Sequence, residues 1–220
     1  FFDGPEQALT SRYGPFALSL AMGLVCVAPA RWGRWAGIAL VAAALPAQAQ
    51  AENTLAYLQQ DRLLGKACLL WHYQIPQPAC TAKLNPNKVR VVIERAPLLD
   101  ALGYLQPGLR SHRVLTPEAP GDYGYIEGET GDRLWGWAAL PFKGRYADAV
   151  VVGCATSAGV TAVRIADRRQ PRGDLGPAYL WSGWEADLTH APCAGTYQAF
   201  AFDTDTARVY PLAHLAPILP

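Results

Sequence analysis

Two long, uncharged and apolar runs near the start of the chain constrain its fold and location more than any other feature. Residues 13–30 contain no charged side chain, and a second apolar run covers residues 36–45. Arg31 and Arg34 lie between the two runs. A helix that spans a bilayer needs about 20 mostly apolar residues, with roughly 17 as the minimum. The first run therefore reaches the length of a membrane span, whereas the second is short for one.

Two interpretations of this segment place the rest of the chain outside the cytoplasm. In the first, residues 1–51 form a membrane helical hairpin, and the positive-inside rule holds Arg31 and Arg34 on the cytoplasmic side. In the second, the arginines begin a secretory signal segment that ends in the Ala-Gln-Ala pattern of residues 47–51. A third interpretation, a buried core helix, fits poorly because such runs rarely flank paired arginines in soluble domains. We favour the hairpin, and because Phe1 is not a Met we expect further sequence before it.

The cysteines agree with an exported domain. Cys26 lies in the apolar segment, which leaves Cys68, Cys80, Cys154 and Cys193. An even number of cysteines in an exported segment predicts paired disulfides. Four cysteines allow three connectivities, of which we favour a local Cys68–Cys80 link and a Cys154–Cys193 link in the C-terminal region. We predict no metal site, because no C-x-x-C pair occurs and the histidines are dispersed.

Charge and motif content exclude several function classes. The chain has 19 Lys and Arg against 18 Asp and Glu, which gives a net charge of +1, and its basic residues are scattered. This distribution lacks the basic patch of a nucleic-acid-binding protein, so we predict no nucleic-acid partner. The sequence also contains neither a P-loop nor a G-x-G-x-x-G motif. We therefore expect no nucleotide cofactor, and we expect the lipid bilayer to be a partner.

Residues 52–122 have the pattern of a connector with short helices. Leucines at helical spacing predict one amphipathic helix within residues 52–70. Pro97 is expected to end the next segment, ahead of a short helix over residues 98–104. Three further prolines indicate a linker over residues 106–122.

From residue 123 the pattern changes to short strands. Seven segments alternate apolar and polar residues and are separated by Gly, Pro and Asp turns. The predicted strands are 123–128, 133–138, 148–154, 159–165, 183–188, 196–202 and 207–212. Because no helical period intervenes, we predict an antiparallel β-sandwich over residues 123–220. The expected fold is thus mainly β, with an N-terminal membrane helical hairpin, a short helical connector and a C-terminal sandwich.

The last hundred residues contain five short motifs. They are Gly124–Gly128, Leu134–Ala138, Arg172–Leu175, Gly183–Trp184 and the hairpin Thr196–Leu212. In this order they resemble the small β-sandwich domains appended to bacterial cell-envelope proteins, including polytopic glycosyltransferases. Together with the apolar segment, the resemblance implies the C-terminal part of a glycosyltransferase-like inner-membrane protein.

The resemblance also implies a location and a role. The chain from about Glu52 would lie in the periplasm and act as a non-catalytic accessory or interaction domain of a cell-envelope membrane protein. In such enzymes the catalytic carboxylates belong to loops near the N-terminal end, so we assign no catalytic residue here and leave the enzyme class open. The alternative is a secreted carbohydrate-binding β-sandwich protein released by signal cleavage. Envelope glycans or other envelope proteins are the expected partners.

One acidic pair has the spacing of a metal-binding motif. Asp203 and Asp205 form a D-x-D pattern, with which some nucleotide-sugar enzymes hold a divalent cation. The pair falls where the strand pattern requires a hairpin turn, and Asp favours turns because its side chain bonds the local backbone. We therefore predict a turn.

Aromatic side chains are the features with binding potential. Flat rings can stack on the apolar faces of sugar rings, and we name Tyr179, Trp181 and Trp184 as ligand-binding candidates. Large aromatics more often fill cores, and we expect this of Trp135, Trp137 and Trp184. Trp181 lies in a Pro/Gly-rich crossing between strands, so we expect it to be the most exposed of the set and the best candidate.

Overall fold

The structure is a computed structural model that describes Trp35 and residues 58–214. Apart from Trp35, the predicted membrane segment of residues 1–51 lies outside the described residues, as do residues 215–220. Among the described residues, no helix is both long and apolar enough to cross a bilayer. The fold described below is that of the compact unit that begins at Leu58.

Two β-sheets form most of this unit, which confirms the prediction of a mainly β fold. The strands are β1 Gly124–Thr130, β2 Arg133–Leu140, β3 Arg145–Tyr146, β4 Ala149–Thr156, β5 Gly159–Ile165, β6 Arg168–Gln170, β7 Gly183–Asp187, β8 Thr196–Asp203, β9 Arg208–Pro211 and β10 Ala213–His214. The first sheet has the order β10-β1-β2-β7-β6, with β3 paired to β2, and the second has the order β5-β4-β8-β9.

The pairing is antiparallel throughout the described strands except at one edge. There β10 runs parallel to β1, with Tyr125 opposite Ala213 and Ile126 opposite His214. The prediction of a purely antiparallel arrangement is wrong at this pair, because the chain crosses from β9 in the second sheet to the edge of the first. Strands β3, β6 and β10 were not predicted, since two or three residues are too few to display a period of two.

The two sheets share one apolar core, so they pack face to face. Its members include Leu134 and Ala138 from β2, Val150 and Val152 from β4, and Trp184 from β7. Every second residue of each strand points to the same side of its sheet. The alternation therefore divides the first sheet into an inner apolar face and an outer face that is open to solvent.

A helical layer covers the other face of the second sheet. It comprises α1, helical over residues 58–70, and the short α2, Pro78–Thr81. Leu64 and Trp71 from this layer share a second apolar core with Val151 and Phe202. The part of the predicted connector from residue 58 to Cys80 is thus packed on the sheet. A third helix, α3, covers Val89–Ala101.

The structure contains both predicted disulfides. Cys68 at the end of α1 is bonded to Cys80 in α2. Cys154 in β4 is bonded to Cys193 in the segment that precedes β8. The first bond fixes the helical layer internally, and the second fixes a loop to the second sheet.

The predicted break at Pro97 does not occur. Helix α3 continues through Pro97 to Ala101, so the two segments expected on either side of the proline form one helix. Pro97 has no N–H to donate to the carbonyl oxygen of Ile93 one turn earlier, and because Pro97 is exposed, water can donate to that oxygen instead. The helix is followed by Gly103 at a φ of 74°, the left-handed conformation that commonly follows a helix end.

Replacing Gly136 with Ala should destabilise the domain. A Cβ atom at this position would overlap the backbone carbonyl oxygen of Tyr125 on the neighbouring strand, and backbone cannot move aside as a side chain can. We expect a loss of about 2 kcal/mol or more in the free energy of unfolding, measured by urea denaturation of the full chain. Gly131→Ala is the matched control, because nothing lies within 4 Å of its added Cβ. Equal stability of both variants would contradict the close approach of β1 and β2.

Candidate functional site

Three aromatic side chains lie on the outer face of the first sheet. Tyr125 on β1 and Trp135 and Trp137 on β2 are half-buried, whereas Leu134, which precedes Trp135, and Ala138, which follows Trp137, are in the core. We call the surface formed by Tyr125, Trp135 and Trp137 the aromatic face. The expectation that Trp135 and Trp137 fill the core is wrong, because the alternate residues of β2 take the inner positions.

Strand register brings the rings of the aromatic face together. Tyr125 lies opposite Trp137, with ring centroids 5.6 Å apart and planes inclined by 48°. Gly128 lies opposite Trp135, at an irregularity in the register between β1 and β2. A Cβ atom on Gly128 would overlap the Trp135 indole. The glycine therefore provides the space in which this ring lies against the strand.

Glu185 on β7 supplies a fixed hydrogen-bond acceptor beside these rings. It lies opposite Trp135 in the sheet. Its carboxylate accepts hydrogen bonds from Nη1 of Arg168 at 3.1 Å and from Nε2 of Gln170 at 2.9 Å, and Arg133 Nη1 lies 3.7 Å away. The carboxylate is thus held among donors at the margin of the aromatic face.

Arg172 links the crossing segment after β6 to β1. Its guanidinium donates to both carboxylate oxygens of Glu127, at 2.7 and 2.6 Å, and to Asp174 at 2.9 and 2.7 Å. The hydrogen bonds with Asp174 and Glu127 raise the pKa of Arg172, and the Arg172 bond lowers the pKa of Asp174 to about 2. The Cγ of Arg172 lies 3.2 Å from where a Cβ of Gly183 on β7 would lie. Because β2 separates β7 from β1, the side chain crosses β2 on the outer side of the sheet.

The three ligand-binding candidates named from the sequence are differently placed. Trp184 is only 1% exposed in the core between the sheets, so its ring cannot meet a ligand there. Trp181 and Tyr179 are half-buried in the crossing between β6 and β7. Trp181 is therefore less exposed than expected, because this crossing folds back on itself: the backbone N–H of Ser182 donates to the carbonyl of Tyr179 at 2.9 Å.

The arrangement on the outer face suits a flat, polar ligand. Indole and phenol rings offer apolar area with a polar edge. The carboxylate of Glu185 and the guanidinium groups around it can exchange their present hydrogen bonds for those of hydroxyl groups. The chemistry available at this face is therefore reversible binding through stacking and hydrogen bonds.

A second cluster lies where β4, β8 and β9 meet. Carboxylate oxygens of Asp148, Asp203 and Asp205 all lie within 4.8 Å of one another, a spacing that could hold a metal ion. The ammonium group of Lys143 instead lies among them. It is 3.2 Å from Oδ2 of Asp148 and 2.7 Å from Oδ2 of Asp205, and it donates a short hydrogen bond to Asp203. Arg145 Nη1 forms an ion pair with Oδ1 of Asp148 at 2.6 Å, although the alignment is poor for a hydrogen bond.

The D-x-D segment forms the turn between β8 and β9, as predicted. Oδ1 of Asp203 accepts a hydrogen bond from the backbone N–H of Asp205 at 2.9 Å, and its Oδ2 accepts one from the Thr206 hydroxyl at 2.8 Å. Asp148 accepts hydrogen bonds from both the backbone and the hydroxyl of Thr204. These carboxylates hold the hairpin in place, and Lys143 supplies the compensating positive charge.

Lys143 and Asp203 have shifted pKa values that report this compensation. Burial by itself would lower the pKa of Lys143, but hydrogen bonds with Asp203 and Asp205 outweigh it and the pKa is raised. Burial would raise the pKa of Asp203, but the hydrogen bonds from Lys143, the Asp205 backbone and Thr206 keep it below the ordinary value. Both shifts favour the charged forms.

Sequence reasoning found Asp203 and Asp205 but missed Lys143, Asp148 and Glu185. Lys143 is 60 residues from Asp203 along the chain, so no local pattern connects them. Glu185 is one acidic residue in an alternating strand, and only the pairing of β2 with β7 places it beside Trp135. Arg172 could have been found from the sequence, since it belongs to the Arg172–Leu175 motif, but its hydrogen bonds to Glu127 depend on the fold.

Three comparisons with known proteins found no match: neither a family model, nor a curated protein, nor a solved structure resembles the chain. The resemblance to envelope sandwich domains therefore stays a prediction. The function must be argued from the chain's own residues.

Replacing Lys143 with Met should destabilise the domain strongly. The change leaves Asp148 and Asp203, both buried, without their shared cation. Removing one partner from a buried ion network costs about 3 kcal/mol or more, measured as the free energy of unfolding at pH 7. Lys88→Met, at an exposed lysine, is the control and should change stability by less than about 0.5 kcal/mol.

The Lys143→Met variant should also depend on pH differently from the parent protein between pH 7 and pH 5. In the parent protein the lowered pKa of Asp203 gives stabilisation that is present above the ordinary value of 3.8 and is lost only as the pH falls below it. Without Lys143, burial should raise the pKa of Asp203 above its unfolded value, because the ammonium group no longer offsets it. Lys143→Met should then gain stability as the pH falls from 7 to 5, whereas the parent should not. A parallel decline of both proteins would refute the compensating role of the ammonium group.

Proposed function

We propose that the described domain is an exocytoplasmic, non-catalytic interaction domain of a cell-envelope membrane protein. The observation that carries this proposal is the pair of disulfides, Cys68–Cys80 and Cys154–Cys193. Disulfides persist in oxidising compartments such as the periplasm and are rare in the cytosol. The apolar runs before residue 52 support attachment to the inner membrane. On this proposal the chain is the C-terminal portion of a longer, sugar-transferring membrane protein.

The surface of α3 supports an interaction role and a bilayer partner. Leu98 and Leu102 are each 60% exposed, and Tyr104 is 75% exposed. Val91, Leu98 and Leu102 lie within one narrow stripe at helical spacing, while Ala96 on another side of the helix is buried. Apolar and aromatic side chains with nearby basic groups are typical of surfaces that contact the headgroup region of a membrane.

The acidic cluster supports a binding role over a catalytic one. Its carboxylates are all engaged by Lys143, Arg145, Lys66 or the backbone of the β8–β9 turn. Charges neutralised in this way stabilise the hairpin. They are committed to the fold and are poorly placed to act on a substrate.

The location can be tested with a single reporter thiol. Ser157 is exposed in the turn between β4 and β5, and Ser157→Cys in a Cys26→Ser background leaves one free cysteine when both disulfides form. We expect a membrane-impermeant maleimide to label this cysteine in intact spheroplasts. The control is the Cys26→Ser chain alone, which should stay unlabelled. Labelling of Ser157→Cys only after the membrane is permeabilised would place the domain in the cytoplasm and overturn the proposal.

The aromatic face favours a second candidate function, the binding of saccharides. It is carried by three half-buried rings on a solvent-facing sheet surface, with Glu185 fixed beside Trp135. Pyranose rings bury their apolar faces on such aromatics while their hydroxyl groups bond adjacent charged side chains. This candidate is compatible with a secreted protein as well as with a membrane-attached one. It assigns contact residues on β1 and β2 in place of Trp184.

Loss of the Trp135 ring should weaken saccharide binding. We expect Trp135→Ala to reduce affinity for envelope oligosaccharides about tenfold, since a stacked aromatic contributes on the order of 1 kcal/mol beyond its buried area. The measurement is a titration of the full chain followed by intrinsic fluorescence or calorimetry. Tyr73→Ala removes an exposed aromatic away from this face and serves as the control. Equal affinity of both variants, or no binding by the parent chain, would remove this candidate.

A further inference from the structure

A groove of about 400 Å³ lies between α1 and the segment that follows α3. Small-molecule sites in proteins commonly enclose roughly 300–1,000 Å³. The apolar part of this groove is formed mainly by leucines: Leu63, Leu69, Leu70, Leu84 and Leu105. Leu69 and Leu70 are buried, and the other three are half-buried. The groove is thus lined with apolar surface that solvent still reaches.

Helix α1 contributes one face to the core but leaves Leu63 outside it. Leu64, Ala67 and Cys68 recur at helical spacing and join the core beneath the second sheet. Leu70 belongs to this core and also borders the groove, whereas Leu63 lines the groove, is half-buried and is not a member of the core. A surface helix normally presents polar residues away from its core. Leu63 is therefore an apolar side chain that the core does not take up.

Charge along the groove has a single sign. Arg62 and Lys66, one turn apart on α1, both line it, and none of its lining residues is acidic. Arg62 is exposed and has no ion-pair partner within residues 58–214. Lys66 contacts Asp205 at 3.2 Å, but this pair is open to solvent, with side chains 34% and 58% exposed, so the ammonium group is weakly held. Two cations at one edge of an apolar groove are complementary to an anion that carries an apolar chain.

We propose that this groove binds a single-chain anionic amphiphile. A carboxylate or phosphate head group would contact Arg62 and Lys66, and the chain would lie along the leucines toward Tyr104, which lines the groove and is largely exposed. Arginine suits this role because its guanidinium can donate two parallel hydrogen bonds to such a head group. The inference does not depend on the location of the domain or on saccharide binding, since neither enters it.

Photoaffinity labelling of the full chain tests the site directly. The chain is reconstituted in nanodiscs of zwitterionic phosphatidylcholine and exposed to a diazirine derivative of dodecanoate below its critical micelle concentration. Labelled peptides are then identified by mass spectrometry. We expect saturable labelling on the peptides that contain Leu63, Leu84 and Leu105. Competition by unlabelled carboxylates should strengthen about fourfold for each added methylene from eight to twelve carbons. Dodecyl phosphate should also compete, and dodecanol should compete at least tenfold less well.

Two pairs of matched variants separate the head-group contact from the chain contact. Arg62→Gln should weaken dodecanoate binding about tenfold, as the loss of a charge-assisted hydrogen bond does. The affinities for dodecanoate and dodecanol should then lie closer together than in the parent protein. Arg95→Gln, at an exposed arginine of α3, should leave binding unchanged. Leu105→Gln should weaken carboxylate and alcohol alike, whereas Leu180→Gln, at an exposed leucine outside the groove and outside the α3 surface, should weaken neither. Retention of the Cys68–Cys80 bond in each variant shows that the helical layer is intact.

Several results would overturn the proposal. These are labelling that does not saturate, labelling spread evenly over the chain, or equal binding of dodecanoate, dodecanol and dodecylamine. Competition by an anionic two-chain phospholipid in the nanodisc, but not by dodecanoate, would assign the groove to bilayer lipid and refute the single-chain ligand. Loss of labelling as the protein concentration rises would show that a second copy of the chain occupies the groove. None of these outcomes bears on the accessibility of Ser157→Cys, so this proposal and that for the location can fail separately.

Discussion

The second sheet is buried on both of its faces, and the rest of the domain depends on this constraint. Val150 and Val152 of β4 face the core between the sheets, while Ala149 and Val151 face the helical layer. A strand covered on both sides needs apolar residues at successive positions, and β4 is accordingly buried from Ala149 through Cys154. The helical layer is therefore a structural part of the domain.

Two-sided burial also explains the charged cluster. Asp148 precedes β4 and Asp203 ends β8, so both carboxylates lie where these covered strands emerge, and both are almost completely buried. A buried charge is costly unless it is paired and hydrogen-bonded. Lys143, from the turn after β2, provides the pairing and thereby connects the first sheet to the hairpin of the second. The D-x-D pair has the spacing of a metal motif, but its carboxylates are paired with Lys143 and with the backbone and hydroxyl groups of the hairpin.

The candidate binding surfaces lie outside the two apolar cores. The outer face of the first sheet has no layer over it within the described residues, and there the aromatic rings lie beside fixed polar groups. The helical segments offer the groove beside α1 and the exposed leucines of α3. These surfaces differ in chemistry: one suits hydroxyl-rich ligands, and the other suits apolar chains with an anionic end.

Local pattern was sufficient for the seven longer strands and the turn between β8 and β9, and the even cysteine count predicted that disulfides form. Alternation over five or more residues predicts a strand because it reports one buried and one open face, and the local Cys68–Cys80 pair is close in sequence. The sequence by itself thus determined the mainly β fold and the turn at Asp203. Tertiary structure alone decided that Trp135 faces outward, that Lys143 reaches Asp203, that β10 runs parallel to β1, and that Leu63 of α1 lines a groove outside the core. Each of these depends on contacts between residues far apart in the chain, and the periodicity of a single segment carries no information about which neighbour will cover it.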